Sequence, residues 1–250
     1  MSDIIHQMPS PIENGMMIPT LDQQGWIWLY KDEVTESYIR FGSETKGLMV
    51  EIGAGYGHIV LDVLKKGAHV IAVDISQEQL EIIKHRAAEN KLSGLEVIKA
   101  EFPEELELPM ESINGVLISR LFHFFSGQRI RESLKKTYSW LKTGGEIFIV
   151  ADTVYRTIFK DLIPQYGTNI SDGMEWPGWV EDVRKIIPQD RLDPNTQPLA
   201  MNLTDPEIWQ RELKLAGFLV ERSSFFKYAA DPDYARLDGR EIVGAIGIKQ

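Results

Sequence analysis

The 250 residues allow one large domain or two small ones, and 43% hydrophobic against 26% charged residues suits a globular chain that buries its own core. The absence of cysteine excludes disulfides, thiolate metal sites and cysteine nucleophiles. A net charge of -10 argues against nonspecific affinity for nucleic acid or anionic membranes, and no apolar run approaches the roughly 18 residues of a membrane helix. The first residues, M-S-D-I-I-H-Q-M-P-S, lack a basic segment and a long apolar one, so a cytoplasmic location is expected.

In chain order, Met1 to Thr20 reads as an irregular arm. Asp22 to Phe41 holds W-I-W-L-Y and then a stretch in which Val34, Tyr38 and Phe41 keep helical spacing. A strand–helix rhythm follows a loop at Gly42–Gly47. Leu48–Ile52 is an apolar strand, and His58–Lys66 a helix that Gly67 closes. Val70–Asp74 is the next strand, and Ser76 with Gln79 makes a capping box for a helix over Gln77–Asn90. Leu95–Lys99 and Ile113–Ser119 are strands, Gln128–Leu141 is a helix, and the turn K-T-G-G leads into a strand over Glu146–Ala151. Apolar strands alternating with amphipathic helices predict an α/β, doubly wound, mostly parallel sheet covered on both faces.

The rhythm breaks from Asp152 to Leu203, a stretch rich in Pro, Trp, Tyr and Asp, with W-P-G-W at Trp176–Trp179 and a helix expected near Trp179–Ile187. Thr204-Asp205-Pro206-Glu207 then starts a helix with a cap and a first-turn proline. Strands over Leu219–Tyr228 and Glu241–Ile248 close the chain, joined by the polar turn D-P-D-Y-A-R-L-D-G-R. The expected organisation is a single domain: an N-terminal arm and helix (1–47), a cofactor-binding core (48–152), a lid insertion (153–203), and a C-terminal helix and strands (204–250).

The chemistry centres on V-E-I-G-A-G-Y-G-H-I-V, Val50 to Val60. A dinucleotide turn requires G-x-G-x-x-G, yet the position three beyond Gly55 is His58. The pattern is instead E-x-G-x-G-x-G, with the acid Glu51 on the strand itself. A carboxylate beside a pyrophosphate is unfavourable, whereas beside a zwitterionic or cationic ligand it is acceptable.

Glu51-Ile52-Gly53-Ala54-Gly55-Tyr56-Gly57 resembles the first motif of class I S-adenosylmethionine-dependent methyltransferases. The later segments are similar in order. Asp74 stands where that family places the acid that binds both ribose hydroxyls, and Ile75 follows it; Ala100-Glu101-Phe102 resembles the acidic adenine-contact motif. Ser119-Arg120-Leu121-Phe122-His123-Phe124 resembles the segment lining the methionine side of the cofactor, and Leu141-Lys142-Thr143-Gly144-Gly145 the L-K-P-G-G turn, with Thr in place of Pro. The resemblance covers roughly Leu48 to Asp152. It implies a Rossmann-like seven-stranded sheet with an inserted lid, S-adenosylmethionine as methyl donor, and S-adenosylhomocysteine as product. It also implies a cofactor site of Glu51, Gly53, Ala54, Gly55, Asp74, Ile75, Glu101, Phe102, Ser119 and Arg120; from its place before the core, Tyr30 is expected to cap the methionine end of the cofactor.

The expected reaction is methyl transfer to a small organic acceptor, governed by alignment and exclusion of water. Ser119-Arg120-Leu121-Phe122 is not the N/D-P-P-Y/F motif of adenine-N6 methyltransferases. The expected walls of the acceptor pocket are Tyr155, Phe159, Tyr166, Trp176 and Trp179 in the lid, with Trp26, Trp28 and Tyr30 in the arm; about half of these rings are expected to form the lid's own core. Asp152, Asp172 and Glu175 are candidates to orient a polar acceptor, and Arg120 to offset a carboxylate of cofactor or substrate. His123 is the general-base candidate. His58 reads as structural or cofactor-adjacent. The five histidines are scattered, so no metal site is expected. Expected partners are a small-molecule acceptor, with neither nucleic acid nor membrane, for a monomer or homodimer. Two alternatives stay open: a protein of this fold that binds the cofactor without methyl transfer, and an NAD-dependent oxidoreductase.

Overall fold

The computed structural model describes residues 7–12, 17–21, 26–186, 200–227 and 235–250. Within them the chain runs β1 (Met17–Pro19), β2 (Trp26–Trp28), α1 (Glu33–Thr45), β3 (Leu48–Ile52), α2 (His58–Lys65), β4 (His69–Asp74), α3 (Gln77–Glu89), β5 (Leu95–Lys99) and β6 (Ile113–Ser119). It continues through α4 (Gly127–Trp140), β7 (Leu141–Asp152), α5 (Ile163–Ser171), β8 (Trp179–Val180), β9 (Met201–Asn202), α6 (Pro206–Leu215), β10 (Phe218–Phe226) and β11 (Ile242–Lys249). Seven strands form one sheet in the order β10-β11-β7-β6-β3-β4-β5. The strands from β3 to β7 run parallel, and β11 pairs antiparallel with both β7 and β10. The doubly wound sheet expected from the sequence is therefore present.

Alternation along each strand sends side chains to two cores. Val50, Ile52, Ile71, Val73, Val116, Ile118, Ile147 and Ile149 pack against α4 and α6 through Ile130, Leu134, Trp209 and Leu213. Met49, Val70, Ala72, Leu117, Phe148 and Val150 face α1, α2 and α3 through Tyr38, Val60, Leu64, Leu80 and Ile83. Full burial of each such side chain stabilises the fold by about 1.5–3 kcal/mol. Glu51 keeps step with Met49, so the period of two turns its carboxyl towards the α1–α2 side, where it is 6% exposed.

Several local expectations are revised. The arm is not wholly irregular, since β1 and β2 form an antiparallel pair, and Ile18 packs with Tyr56 and Ile82. The K-T-G-G segment lies inside β7: Ile113 pairs with Leu141 and Gly115 with Glu146, so the residues between bulge from the ladder. In the lid, α5 and a 3-10 turn (Thr157–Leu162) form where none was predicted. The helix expected near Trp179–Ile187 is replaced by β8 and a short 3-10 turn, Val183–Lys185. Its expected end, Ile187, lies outside the described residues, as do Tyr228 and the first part of the polar turn after it.

Candidate active site

The carboxyl ends of β3, β4, β6 and β7 open into a cleft of about 670 Å³, roofed by the arm and the lid. Open parallel sheets bind ligands at this edge, where the strand order reverses. Here the reversal falls between β3 and β6.

The glycine loop follows β3. Gly53, Gly55 and Gly57 all have positive φ, and a Cβ on Gly55 would meet Ile27 of the arm at 2.3 Å. Gly57 is the N-cap of α2 and has no side chain to satisfy the first-turn amides. Glu51 fills that role from the strand below, accepting from the backbone N–H of Val60. Burial pushes its carboxyl up to about 8, and the charge of Asp74 adds to the rise while the Val60 bond opposes it. Its second oxygen, Oε2, is buried without a hydrogen-bond partner among the described residues. A buried polar atom left unpartnered is costly, whether the carboxyl holds its proton there or loses it to an arriving cation.

Asp74 ends β4 and gathers donors. Its Oδ2 accepts from Gly55 N–H at 2.8 Å, and its Oδ1 from Ser76 N–H at 3.0 Å and Gln79 Nε2 at 3.1 Å. The Ser76–Gln79 capping box is half realised: Ser76 Oγ accepts from Gln79 N–H, but the Gln79 side chain turns to Asp74 and accepts from Leu21 N–H at 3.0 Å. Gln79 thus ties the arm to the carboxylate. Ile75 beside it is 44% exposed, an apolar surface at the cleft.

Glu101 and Phe102 also line the cleft. Glu101 is exposed and pairs with Arg129 at 2.8 Å, while Phe102 is buried against Phe125 and Trp140. His58 is in the cleft wall, its Nδ1 3.3 Å from Arg86 Nη2, and burial followed by the Arg86 charge brings it down to about 4. Tyr30 lines the cleft and packs edge-on to Trp28.

The opposite end of the cleft is charged. Ser119 ends β6, and Arg120 adopts φ 57, a left-handed conformation that costs a non-glycine residue roughly 1–2 kcal/mol. Non-glycine residues held this way concentrate at functional sites. Asp152, the last residue of β7, accepts from Arg156 Nη1 at 3.0 Å and lies 3.5 Å from Arg120 Nη1. Burial would raise the Asp152 carboxyl, but the two guanidiniums and the His123 ring outweigh it and bring it down to about 2. His123 sits 4.0 Å from Asp152 Oδ2, too far to hydrogen-bond, and burial brings its ring down to about 4.

All the sequence-predicted cofactor residues meet in this cleft, and so do His123, Phe159, Trp26 and Trp28. Tyr155, Trp176 and Trp179 do not. Tyr155 packs against Tyr166 and Phe225 under Arg240. Trp176 is seated on α4, where Gly127 leaves room for its indole: a Cβ there would lie 1.9 Å from Nε1. Trp179 is half-exposed on β8. Tyr166 belongs to the lid core and donates to Asp205. Asp172 and Glu175 are exposed, the latter paired with Arg131. Arg156, Arg129 and Gln79 are cleft residues that sequence reasoning missed as site residues; the signal for Arg156 was the Asp152–Arg156 spacing of four beside Arg120. Among the described residues no cluster of metal-ligating side chains occurs, and no helix is long and apolar enough to cross a membrane.

Residues 49–145 match a family model described as a methyltransferase domain. Over 113 residues the chain is 26% identical to an uncharacterized methyltransferase of Alkaliphilus oremlandii, a match covering 45% of this chain and 48% of that protein. The chain thus spans about half the length of this relative. Among solved structures, a S-adenosylmethionine dependent methyltransferase from Mesorhizobium loti is similar with TM-score 0.59 at 16% identity, over 86% of this chain and 97% of that one. The 1,6-didemethyltoxoflavin-N1-methyltransferase of Burkholderia thailandensis, solved with 1,6-didemethyltoxoflavin and S-adenosylhomocysteine bound, is similar with TM-score 0.56 at 14% identity, over 88% and 80%. At such identities the structural likeness speaks for the fold.

Proposed function

We propose that this chain, whose residues 49–145 match a methyltransferase-domain model, is a class I S-adenosylmethionine-dependent methyltransferase that transfers a methyl group to a small organic acceptor. The single observation that carries the reading is the pairing of Glu51 and Asp74 around the Gly53–Gly57 turn. An orphaned acceptor on Glu51 suits a cationic amino-acid end, and a carboxylate at the end of β4 suits a diol. The residues present therefore fit the donor. The cofactor bound to the Burkholderia thailandensis protein is consistent with this assignment. When bound, S-adenosylmethionine supplies a methyl carbon on a positively charged sulfur; the acceptor's lone pair forms the new bond, and the C–S electron pair stays on sulfur in S-adenosylhomocysteine.

The chain's own residues bind, orient and exclude water. A diol at Asp74 competes with Gln79, whose side-chain amide donates to Oδ1 of that carboxylate. Displaced Gln79 would also release Leu21, coupling cofactor entry to the arm. Ile75 offers its exposed apolar face to a flat ring, and Trp26, Ile27 and Trp28 of the arm close over the glycine turn. His123, neutral at physiological pH, is a weak base. A neutral ring can accept a hydrogen bond from an acceptor that carries a proton, orienting it without taking the proton in full, and the proton passes to water as the methyl is transferred. A cleft of about 670 Å³ lined by both arm and lid residues suits a small acceptor better than a macromolecule.

The test is turnover: methyl-labelled S-adenosylmethionine with a panel of small acceptors, read as S-adenosylhomocysteine formed and label transferred. Product with any acceptor supports the reading. Tight S-adenosylhomocysteine binding with no transfer across the panel would favour the binding-only alternative.

A further inference from the structure

Asp152 at the end of β7, Arg156 in the first turn of the lid and Arg120 after β6 form a charged cluster at one end of the cleft. Arg156 is 7% exposed and lines the cleft, with only its Nη1 committed, to Asp152. Its Nε–H is buried and has no hydrogen-bond partner among the described residues. The side-on edge of a guanidinium, formed by Nε and Nη2, has the spacing of two carboxylate oxygens. That edge of Arg156 carries no hydrogen bond among the described residues. Arg120 approaches the same Asp152 oxygen from the other side. The ring of Trp28 lies beside both cations, with its centroid 5.2 Å from the Arg120 guanidinium carbon and 5.9 Å from that of Arg156. Ile158 and Phe159 continue this wall.

We propose that Arg156, with Arg120 beside it, receives a carboxylate of the methyl acceptor, so that the substrate is a small carboxylic acid whose flat or apolar body rests against Trp28. The inference depends on the methyl-transfer reading of the cleft. Two carboxylates are chemically suited to the array: the acceptor's, and that of the donor's amino-acid end. Position favours the acceptor. Glu51 and the glycine turn belong to β3, and β7 lies two strands away, about 10 Å across the sheet. Arg156 also stands in the first residues of the lid, next to the apolar side chains that close the far end of the cleft. A neutral His123 at that end adds no competing charge.

The experiment titrates the protein, saturated with S-adenosylhomocysteine and separately without it, with matched acids and amides: benzoate against benzamide, and indole-3-acetate against indole-3-acetamide. Calorimetry reads the dissociation constants. The acids are expected to bind at least roughly tenfold more tightly than their amides. Arg156→Gln should abolish that preference and leave S-adenosylhomocysteine affinity unchanged. Arg156→Lys keeps a charge opposite Asp152, which guards against loss of the fold, yet removes the planar edge; it should weaken acid binding about tenfold without changing amide binding. Equal binding of acids and amides by the wild type, or no binding of either acid, overturns the proposal. A loss of S-adenosylhomocysteine affinity in Arg156→Gln with the acid preference intact assigns the array to the donor and also overturns it. Failure of S-adenosylhomocysteine to bind the wild type would instead refute the underlying reading, while the arm without it still decides what Arg156 recognises.

Discussion

Replacing Glu51 by glutamine should change how stability depends on pH, and the structure sets the size of the effect. The wild-type carboxyl is 6% exposed and is pushed up to about 8 in the folded protein, mainly by burial, from an ordinary value near 4.5. A folded-state value above the unfolded one means that the folded chain holds the proton where the unfolded chain has lost it. Stability from this group is intact below about 4.5, declines as pH rises towards 8, and is level above that. The full loss is on the order of 4–5 kcal/mol. Between pH 5.5 and 8 roughly 3 kcal/mol of it falls within an accessible range. Glutamine keeps the shape and the acceptor for Val60 N–H but cannot ionise. The difference in unfolding free energy between Glu51→Gln and wild type should therefore grow by about 3 kcal/mol in favour of the variant across that range. Urea melts at half-unit pH steps measure it, and the other titrating groups cancel because both proteins share them. Parallel stability curves for the two proteins would refute the reasoning and mean that Glu51 is already ionised in the fold.

The same carboxyl should release a proton when a cationic amino-acid end binds beside it. Calorimetry of S-adenosylhomocysteine binding at pH 7 in buffers of different ionisation enthalpy should show close to one proton released, and Glu51→Gln should show none. Asp74→Ala removes the acceptor at the end of β4 and should weaken S-adenosylhomocysteine binding at least roughly tenfold, as expected for a hydrogen bond to a charged group; unchanged affinity would take Asp74 out of the site. Tyr166→Phe deletes the 2.5 Å bond to Asp205, the N-cap of α6, and should cost about 1–3 kcal/mol in urea melts; the cap to Ile208 N–H remains, so α6 itself should persist by circular dichroism.

The order of strands and helices was legible because β3, β4, β6 and β7 carry near-continuous apolar runs, as strands buried on both faces do, while β5 at the sheet edge is only part-buried. The donor half of the cleft was legible for a related reason: Glu51, the glycines and Asp74 lie at fixed distances from strand ends, so local sequence places them. The acceptor half depends on long-range packing. Trp176 carries no mark of where it points; Gly127 on α4 decides that by leaving space for it. Tyr155 is drawn away by Arg240 and Phe225, residues from the other end of the chain. Arg156 escaped notice because its significance arises from Arg120 and Asp152, which β6 and β7 bring together. The expected helix after Trp179 failed because Trp179 and Val180 found strand partners in Asn202 and Met201. Periodicity cannot foresee such pairing across an insertion.

The central claim is that the cleft at the ends of β3 and β4 binds a sulfonium amino-acid nucleoside rather than a dinucleotide. Calorimetric titration of S-adenosylhomocysteine and of NAD into the wild type and Asp74→Ala tests it most directly. The account predicts one S-adenosylhomocysteine site per chain, weakened at least roughly tenfold by Asp74→Ala, and no heat from NAD. Saturable binding of NAD with none of S-adenosylhomocysteine would contradict it.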